Sequence, residues 1–349
     1  VKNKSTLKEI AQRAGVSVMT ASNVINGKEG HYSEETYERV IQAASEVGYV
    51  PNLAAKHLRK GKLGLIALVL PDIMNPYLAE LSQFVIKEAD AKGYTVILSF
   101  TDNDPEVIRS ILNGSLQLPV DGIMMAPHLL DVSAFDLDVP VVLFGEKQST
   151  TLFDNIVLDN DTIAQLATRH LIELGRKKIA PIGLLNDDLG LGGMPQARAR
   201  GYLQAMQDAG LPVDPEWLVV AGTPTYHRDH GAEVMKRLLA LAEPLDAVFC
   251  FNDLIALGAM KVLIDSGRRI PDDVAVIGVD DIIDSRYFNP PLSTVSLNRK
   301  DIAALSVGLL LDRIDGKRNG PPEFFTPRFT LVPRTSTIGS SYCMADELF

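Results

Sequence analysis

The chain has 349 residues, 46% of them apolar and 22% charged. These are globular values on a length that suits two or three domains with a sizeable core, and they exclude a disordered or fibrous protein. No apolar run reaches membrane-spanning length and the polar, basic N-terminal stretch has no apolar export core, so a cytoplasmic protein without membrane contact is expected. The net charge of −10 excludes a uniformly basic nucleic-acid binder, but it is unevenly spread: residues 1–60 hold nine Lys or Arg against six Glu, a net of +3, and the rest carries −13.

Residues 6–27, TLKEIAQRAGVSVMTASNVING, read as two short helices joined by a tight turn. Thr6 is placed to cap the first helix, and Glu9 to reach back to the Thr6 N–H in a capping box. Leu7, Ile10, Ala11 and Ala14 fall at helical spacing, and Gly15 supplies the left-handed residue that ends the helix. Ser17 caps the second helix. Ala21, Val24 and Ile25 face inward, and Val18, Met19, Ser22, Asn23 and Asn26 face outward, with side chains of a size to touch base edges. Two readings fit this stretch: a plain helical hairpin, and a helix-turn-helix whose second helix enters a major groove. Cations near phosphates matter more for DNA than a basic average, and an acidic body confines the contact to the head. A head this weakly charged is expected to act in pairs.

Ser33 caps a third helix, with Glu34 and Glu35 complementing its dipole. Tyr37, Val40, Ile41, Ala44 and Val47 are expected on its inner face, and Gly48 stops it. After the extended break before Pro51, the octet NLAAKHLR (52–59) is helix-like but too short to hold by itself. It is either a plain linker or a hinge that becomes helical when docked against its twin and DNA, with Leu58 as an apolar wedge at the minor groove.

From Gly61 onward strands and helices alternate. Strands are predicted at 65–70, 95–100, 122–126 and 141–144, with helices at 77–92 and 105–116. A second run follows: helix 160–174, strand 179–183, helix 196–209, a strand near 218–220, helix 229–241, strand 247–251, helix 253–266 and strand 274–279. Continuous apolar strands between helices imply parallel sheets covered on both faces, and two such runs imply an α/β fold of two doubly wound lobes. Ligands of such folds sit beyond the carboxyl ends of the strands. Asn75, Tyr77, Asp159, Arg198, Tyr226, Asn252 and Asp280 stand at such positions, with Asp72 and Asp281 beside them. Carboxylates, amides and a guanidinium, with tyrosines for stacking, suit a polyhydroxylated ligand. Any single Asp or Asn there also reads as a helix cap; the set as a whole speaks for a ligand.

The chain resembles the lactose-repressor/galactose-repressor (LacI/GalR) family of bacterial transcription regulators over about residues 5–338. The resemblance rests on the opening stretch, VGYVPN, NLAAKHLR, LVLPDIMNPYLAEL, VDGIMMAP, VLDN, HLIELGRKKIAPIG, RARGYLQAM, FCFNDLIALGAM, and IPDDVAVIGVDDI followed by PPLSTVSLN. It implies a helix-turn-helix head and hinge on a periplasmic-binding-protein-like core, acting as a homodimer on a near-palindromic DNA operator. It also implies a small-molecule effector between the lobes; the cleft residues favour a sugar, with a purine or a phosphorylated molecule as the alternatives, the latter without a Lys or Arg cluster to hold a phosphate. By position, Val18, Met19 and Asn23 become the base readers and Leu58 the minor-groove wedge. Thr6, Ser17, Thr20, Ser22 and Asn26 lie near phosphates or support the fold, and Asn52 opens the hinge. Asn75, Tyr77, Asp159, Arg198, Asn252 and Asp280 match effector contacts, with Tyr226 in a loop of different length.

The implied domains are a head at 1–50, a hinge at 51–61, a core at 62–340 and a tail at 341–349. Within the core, lobe 1 takes 62–160 and 292–323, and lobe 2 takes 161–291 and 324–340. The expected function is a repressor of a carbohydrate-utilisation operon, released by its sugar. Two departures stand out. Asn23 replaces the Arg of many members, and Asn prefers adenine where Arg reads guanine. The tail has no leucine heptads, so a dimer is expected and not a tetramer.

Other function classes fare worse. A transport-type sugar-binding protein has an export signal and no such head. An enzyme finds no Gly-rich phosphate loop and no GxSxG elbow. His227 and His230, like Cys250 and Cys343, have no metal spacing with further ligands, and so few cysteines fit a reducing compartment. No metal or cofactor is expected.

Overall fold

The computed structural model describes residues 6–25, 31–49, 61–102, 104–112, 119–126, 139–145, 152–184, 193–222 and 226–339. It divides into two compact units, Val1–Gly64 and Leu65–Phe349. Asn26, Asn52, Leu58, the hinge octet and the tail lie outside the described residues.

The first unit holds α1 (Leu7–Ala14), α2 (Val18–Ile25) and α3 (Glu34–Glu46). Each begins on a hydroxyl that takes an otherwise unsatisfied N–H: Thr6 Oγ1 accepts from Glu9 N (3.3 Å), Ser17 Oγ from Thr20 N (3.0 Å) and Ser33 Oγ from Thr36 N (3.3 Å). Gly15 closes α1 at φ 66°, a backbone that costs glycine nothing. The Glu9 carboxylate turns to Arg13, 3.9 Å away, where the capping box expected it at the Thr6 N–H. Ile10, Ala11, Ala14, Ala21, Val24, Val40, Ala43 and Ala44 form the core; their small side chains let three short helices meet closely. Tyr37 and Ile41, expected inside, are exposed. Val40 and Ala44 are buried as expected, with Ala43 beside them completing the stripe of α3, and Tyr37 stacks on Tyr32 with ring centroids 6.2 Å apart.

The second unit has two sheets. The first comprises β1 (Leu65–Leu70), β2 (Thr95–Phe100), β3 (Gly122–Met125), β4 (Val141–Gly145), β5 (Asp154–Val157) and β10 (Phe324–Phe325), all parallel, in the order β10-β5-β4-β3-β1-β2. The second comprises β6 (Ile179–Ile182), β7 (Ala247–Cys250), β8 (Ala275–Asp280), β9 (Ser293–Ser296) and β11 (Thr330–Val332), in the order β11-β9-β8-β7-β6 with β11 antiparallel. Around them lie α4 (Pro76–Ala91), α5 (Pro105–Leu112), α6 (Asn160–Glu173), α7 (Met194–Asp208), α8 (Arg228–Leu239), α9 (Asp253–Asp265), α10 (Asp284–Tyr287), α11 (Arg299–Ile314) and α12 (Thr335–Ile338). Alternate residues of β1 serve opposite faces. Ala67 and Val69 join a cluster with Ile108 and Ile111 of α5, and Ile66, Leu68 and Leu70 join the main core with α4 and α11. The helix pairs α6–α7 and α8–α9 pack nearly backbone to backbone: a Cβ added at Gly201 would lie 2.1 Å from the Asp161 carbonyl, and one at Gly258 1.9 Å from the Arg228 carbonyl.

Some boundaries differ from expectation. The strand near 218–220 is absent. A 3₁₀ turn at Pro215–Trp217 precedes that stretch, and the Val220 carbonyl accepts from Arg237 (2.7 Å) in place of a ladder partner. The helix expected at 105–116 runs over Pro105–Leu112, and the rest of that expectation lies outside the described residues. The chain passes between lobes after β5, after β9 and after β10, so β9 belongs to the second lobe and β10 to the first; these two short strands shift the edges of the expected segments, about 292–323 and 324–340, while α11 returns to the first lobe and β11 to the second as expected. Strand pairing decides this: β9 ladders with β8, and β10 with β5. Among the described residues no helix is long and apolar enough to cross a membrane.

Candidate functional site

In the first unit, α2 presents an outward ridge. Val18 is 47% exposed and Met19 74%, high for apolar side chains, whereas Ala21 and Val24 are buried beneath them. Ser22 and Asn23 are half-buried on the flank. The Ser17 hydroxyl is bonded to the Thr20 hydroxyl (2.9 Å), and Thr6 is exposed at the start of α1. The unit thus offers a helix carrying apolar and amide groups of short reach, flanked by hydroxyls and helix N-termini. That is the equipment for base edges and for phosphate oxygens respectively.

In the second unit, three expected ligand contacts also cap helices. Asn75 Oδ1 accepts from Tyr77 N (3.0 Å), Asp159 Oδ1 from Thr162 N (3.1 Å) and Asn252 Oδ1 from Ile255 N (2.8 Å). Capping fixes one side-chain oxygen of each, and in Asn252 the amide nitrogen is committed as well, donating to the Tyr226 carbonyl (3.0 Å).

The centre of the site is Arg198, only 3% exposed in the opening turns of α7. Its Nε donates to Asn160 Oδ1 (2.9 Å) and Nη1 to the Phe251 carbonyl at the end of β7. Burial pulls its pKa down, opposed by the nearby Asp280, Tyr77, Tyr226 and Asp253. Asp280, 7% exposed at the end of β8, is pushed the other way: burial raises its carboxyl well above the usual range, Arg198 offsets part of this, and Asp253 adds to it. Burial likewise raises the Tyr77 phenol, so it stays a neutral donor throughout the physiological range. Tyr77 of α4 comes from the first lobe; Arg198, Tyr226, Asn252 and Asp280 come from the second. Tyr77, Arg198, Tyr226 and Asp280 act on one another's charge, and Asn252 joins them through the Tyr226 carbonyl; Asp159, whose carboxylate bonds Thr162, precedes Asn160, the partner of Arg198, and Asn75 caps the helix at Tyr77.

The backbone under the site is strained and clamped. Asp280 has φ 120° and Asp281 φ 54°, unfavourable for residues with a Cβ. Arg299 donates to both of their carbonyls, to that of Asp281 at 2.7 Å. The Asp281 carboxylate accepts from buried Arg334 (2.6 Å). Asp253 Oδ2 accepts from Ile282 N (3.0 Å) and the Ser285 hydroxyl (2.7 Å), and Oδ1 from the Thr294 hydroxyl (2.6 Å). Burial raises the Asp253 carboxyl in turn. Asn160, Asp253, Arg299, Arg334 and Glu80 were not singled out from sequence. Asn160 follows Asp159 directly, Asp253 follows Asn252, and Glu80 lies one helical turn beyond Tyr77, so spacing offered a signal for these three. Arg299 and Arg334 are drawn in by tertiary structure alone. A nearly sealed guanidinium and carboxyl in one buried polar cluster with a phenol can order hydroxyls or amides of a neutral molecule through directional hydrogen bonds.

The model of bacterial regulatory proteins, lacI family, matches residues 6–52, and that of the periplasmic binding protein-like domain matches residues 168–337. The HTH-type transcriptional repressor PurR of Haemophilus influenzae is 33% identical over 328 residues, covering 92% of this chain and 94% of its own. Among solved structures, the transcriptional regulator CelR in complex with cellobiose is 30% identical, with a TM-score of 0.69, over 95% of this chain and all of its own. A LacI-type transcription regulator from Bifidobacterium animalis subsp. lactis is 28% identical, with a TM-score of 0.72, over 78% of this chain and 99% of its own.

Proposed function

The chain belongs to the LacI family of bacterial regulatory proteins, DNA-binding repressors and not enzymes, and from that premise we propose which molecules it answers to. It acts in the cytoplasm as a homodimer on a near-palindromic operator, represses a carbohydrate-utilisation operon, and releases the operator when a sugar enters the cleft between its lobes. The observation that carries the sugar is buried Arg198, held by Asn160 and the Phe251 carbonyl with Asp280 and Tyr77 near enough to act on its charge, a polar site suited to hydroxyls that donate and accept at once. The cellobiose held by the similar regulator CelR supports the same ligand class.

The reading of DNA falls to Val18, Met19 and Asn23, with Thr6, Ser17, Thr20 and Ser22 near phosphates. A dimer follows from charge, since one head of low net charge neutralises few phosphates. It is supported by exposed Tyr287, which lines a groove of about 440 Å³ together with Leu257 and Phe288. A purine base is the second reading, favoured by the PurR name of the curated relatives and compatible with stacking on Tyr77.

A gel shift with a near-palindromic DNA library, run with panels of sugars and of purines, tests both. Retardation relieved by a sugar is the expected result. Retardation strengthened or relieved by purines alone transfers the site to the second reading, and no retardation under any condition overturns the proposal.

A further inference from the structure

A cluster not used so far joins the lobes behind the cleft. Glu80 stands on α4 of the first lobe, one turn beyond Tyr77. Its Oε1 accepts from the backbone N–H of Ile283 in the second lobe (2.9 Å), and its Oε2 lies 3.2 Å from Arg299. Arg299 is the first residue of α11, where the chain returns from the second lobe to the first. Besides Glu80, its guanidinium holds the carbonyls of Asp280 and Asp281 and sits over the Tyr77 ring, 5.9 Å from its centroid. One ion pair therefore touches two expected effector contacts, Tyr77 from one lobe and Asp280 from the other, and bonds both lobes.

A second pair crosses the cleft, His227 with Asp72 at 3.4 Å, but the two differ in kind. The His227 side chain is 43% exposed, and a pair so open to water and salt is worth little. Arg299 and Glu80 are 11% and 21% exposed, and between them engage three backbone groups of the second lobe. Separating the lobes would leave the Ile283 N–H and a mostly buried cation or carboxylate to be satisfied anew, which is costly even where the pair itself adds little net stability.

We propose that Glu80 and Arg299 are positioning residues that hold the lobes closed and aim Tyr77 and Asp280 at the effector. This rests on the reading of the cleft as the effector site. Its consequence is that effector affinity depends on a pair the effector need not touch, because only the closed arrangement presents both lobes' contacts together.

Lobe separation is measured in the full chain by pulsed electron spin resonance, with labels at Asp90→Cys on α4 and Lys236→Cys on α8 and Cys343 replaced by serine. An excess of unlabelled chain ensures that label pairs report on single chains. The parent is expected to give one narrow, short distance. Glu80→Ala and Arg299→Gln should add a longer component, shifting the closed-to-open ratio by on the order of tenfold to a hundredfold. Glu80→Gln retains the acceptor for Ile283 and Arg299→Lys retains the charge, so both should shift it less. Asp72→Asn should leave it unchanged. A purely structural role would lower the melting temperature of these variants without moving the distance. Unchanged distances in folded Glu80→Ala and Arg299→Gln overturn the proposal; where those two do not fold, unchanged distances in Glu80→Gln and Arg299→Lys do so. No DNA or effector is present, so a failed gel shift and a failed clasp are separate results.

Discussion

The two units put their chemistry in opposite places. In the head the candidate groups lie outside: Val18 and Met19 project from α2, and the core beneath is small and almost wholly alanine, valine and isoleucine. In the second unit they lie inside, where Arg198, Asn252, Asp253 and Asp280 are all buried and bonded to one another's neighbourhoods. A head built this way touches a large partner without rearranging, and its stability and its recognition use different residues. In the core they use the same residues, so binding and stability trade against each other.

That contrast is broken most directly at Arg198. Arg198→Leu should abolish the effector response and cost the second unit about 1–3 kcal/mol for each acceptor it strands, Asn160 Oδ1 and the Phe251 carbonyl. Operator retardation should survive wherever the variant folds. Calorimetry beside the gel shift checks this, and an intact effector response would refute the assignment of Arg198.

The head should separate stability from reading. Ile10→Ala removes the centre of its core and should cost about 2–4 kcal/mol, melting the head while the second unit's transition stays in place. Circular dichroism melts of the full chain would show the two transitions. Asn23→Arg touches no core residue. It should change the preferred base at one half-site position from adenine toward guanine by about 1–3 kcal/mol, read from site selection on both proteins.

The trade-off in the core can be sharpened through pH. The folded-state pKa of Asp280 is raised, so its effect on stability is most favourable below the ordinary carboxyl range and is lost as pH rises through the folded value. Asp280→Asn lacks that loss. Its melting temperature should exceed the parent's at pH 8, by a few degrees or about 1 kcal/mol, and the gap should shrink as pH falls, while effector binding disappears. A gap that widens toward acid would contradict the burial argument. The smallest effect is expected from Ser17→Ala, which removes one exposed cap: about 1 kcal/mol from the head, seen as a lower first transition.

Much of this molecule was legible in its sequence wherever the information is local. Helical spacing marked α1 and α2, the hydroxyls at Thr6, Ser17 and Ser33 marked the starts of three helices, and unbroken apolar strands marked parallel sheets. The same locality explains the errors. Periodicity left two neighbouring stripes of α3 nearly equivalent, and only packing against α1 and α2 turned Val40 and Ala43 inward while leaving Tyr37 and Ile41 outside. The stretch at 218–220 has strand-like side chains but no neighbour to ladder with.

Sequence alone determined most of the elements, the three hydroxyl caps of the head and the division of charge between head and body, because each depends on side chains a few positions apart. Tertiary structure decided the rest. It assigned β9 and β10 to their sheets, buried Arg198 against Phe251 and Asn160, and drew Arg299, Glu80 and Arg334 around the strained turn at Asp280. Those contacts join residues tens to hundreds of positions apart, and their energy comes from burial, which no local pattern of residues records.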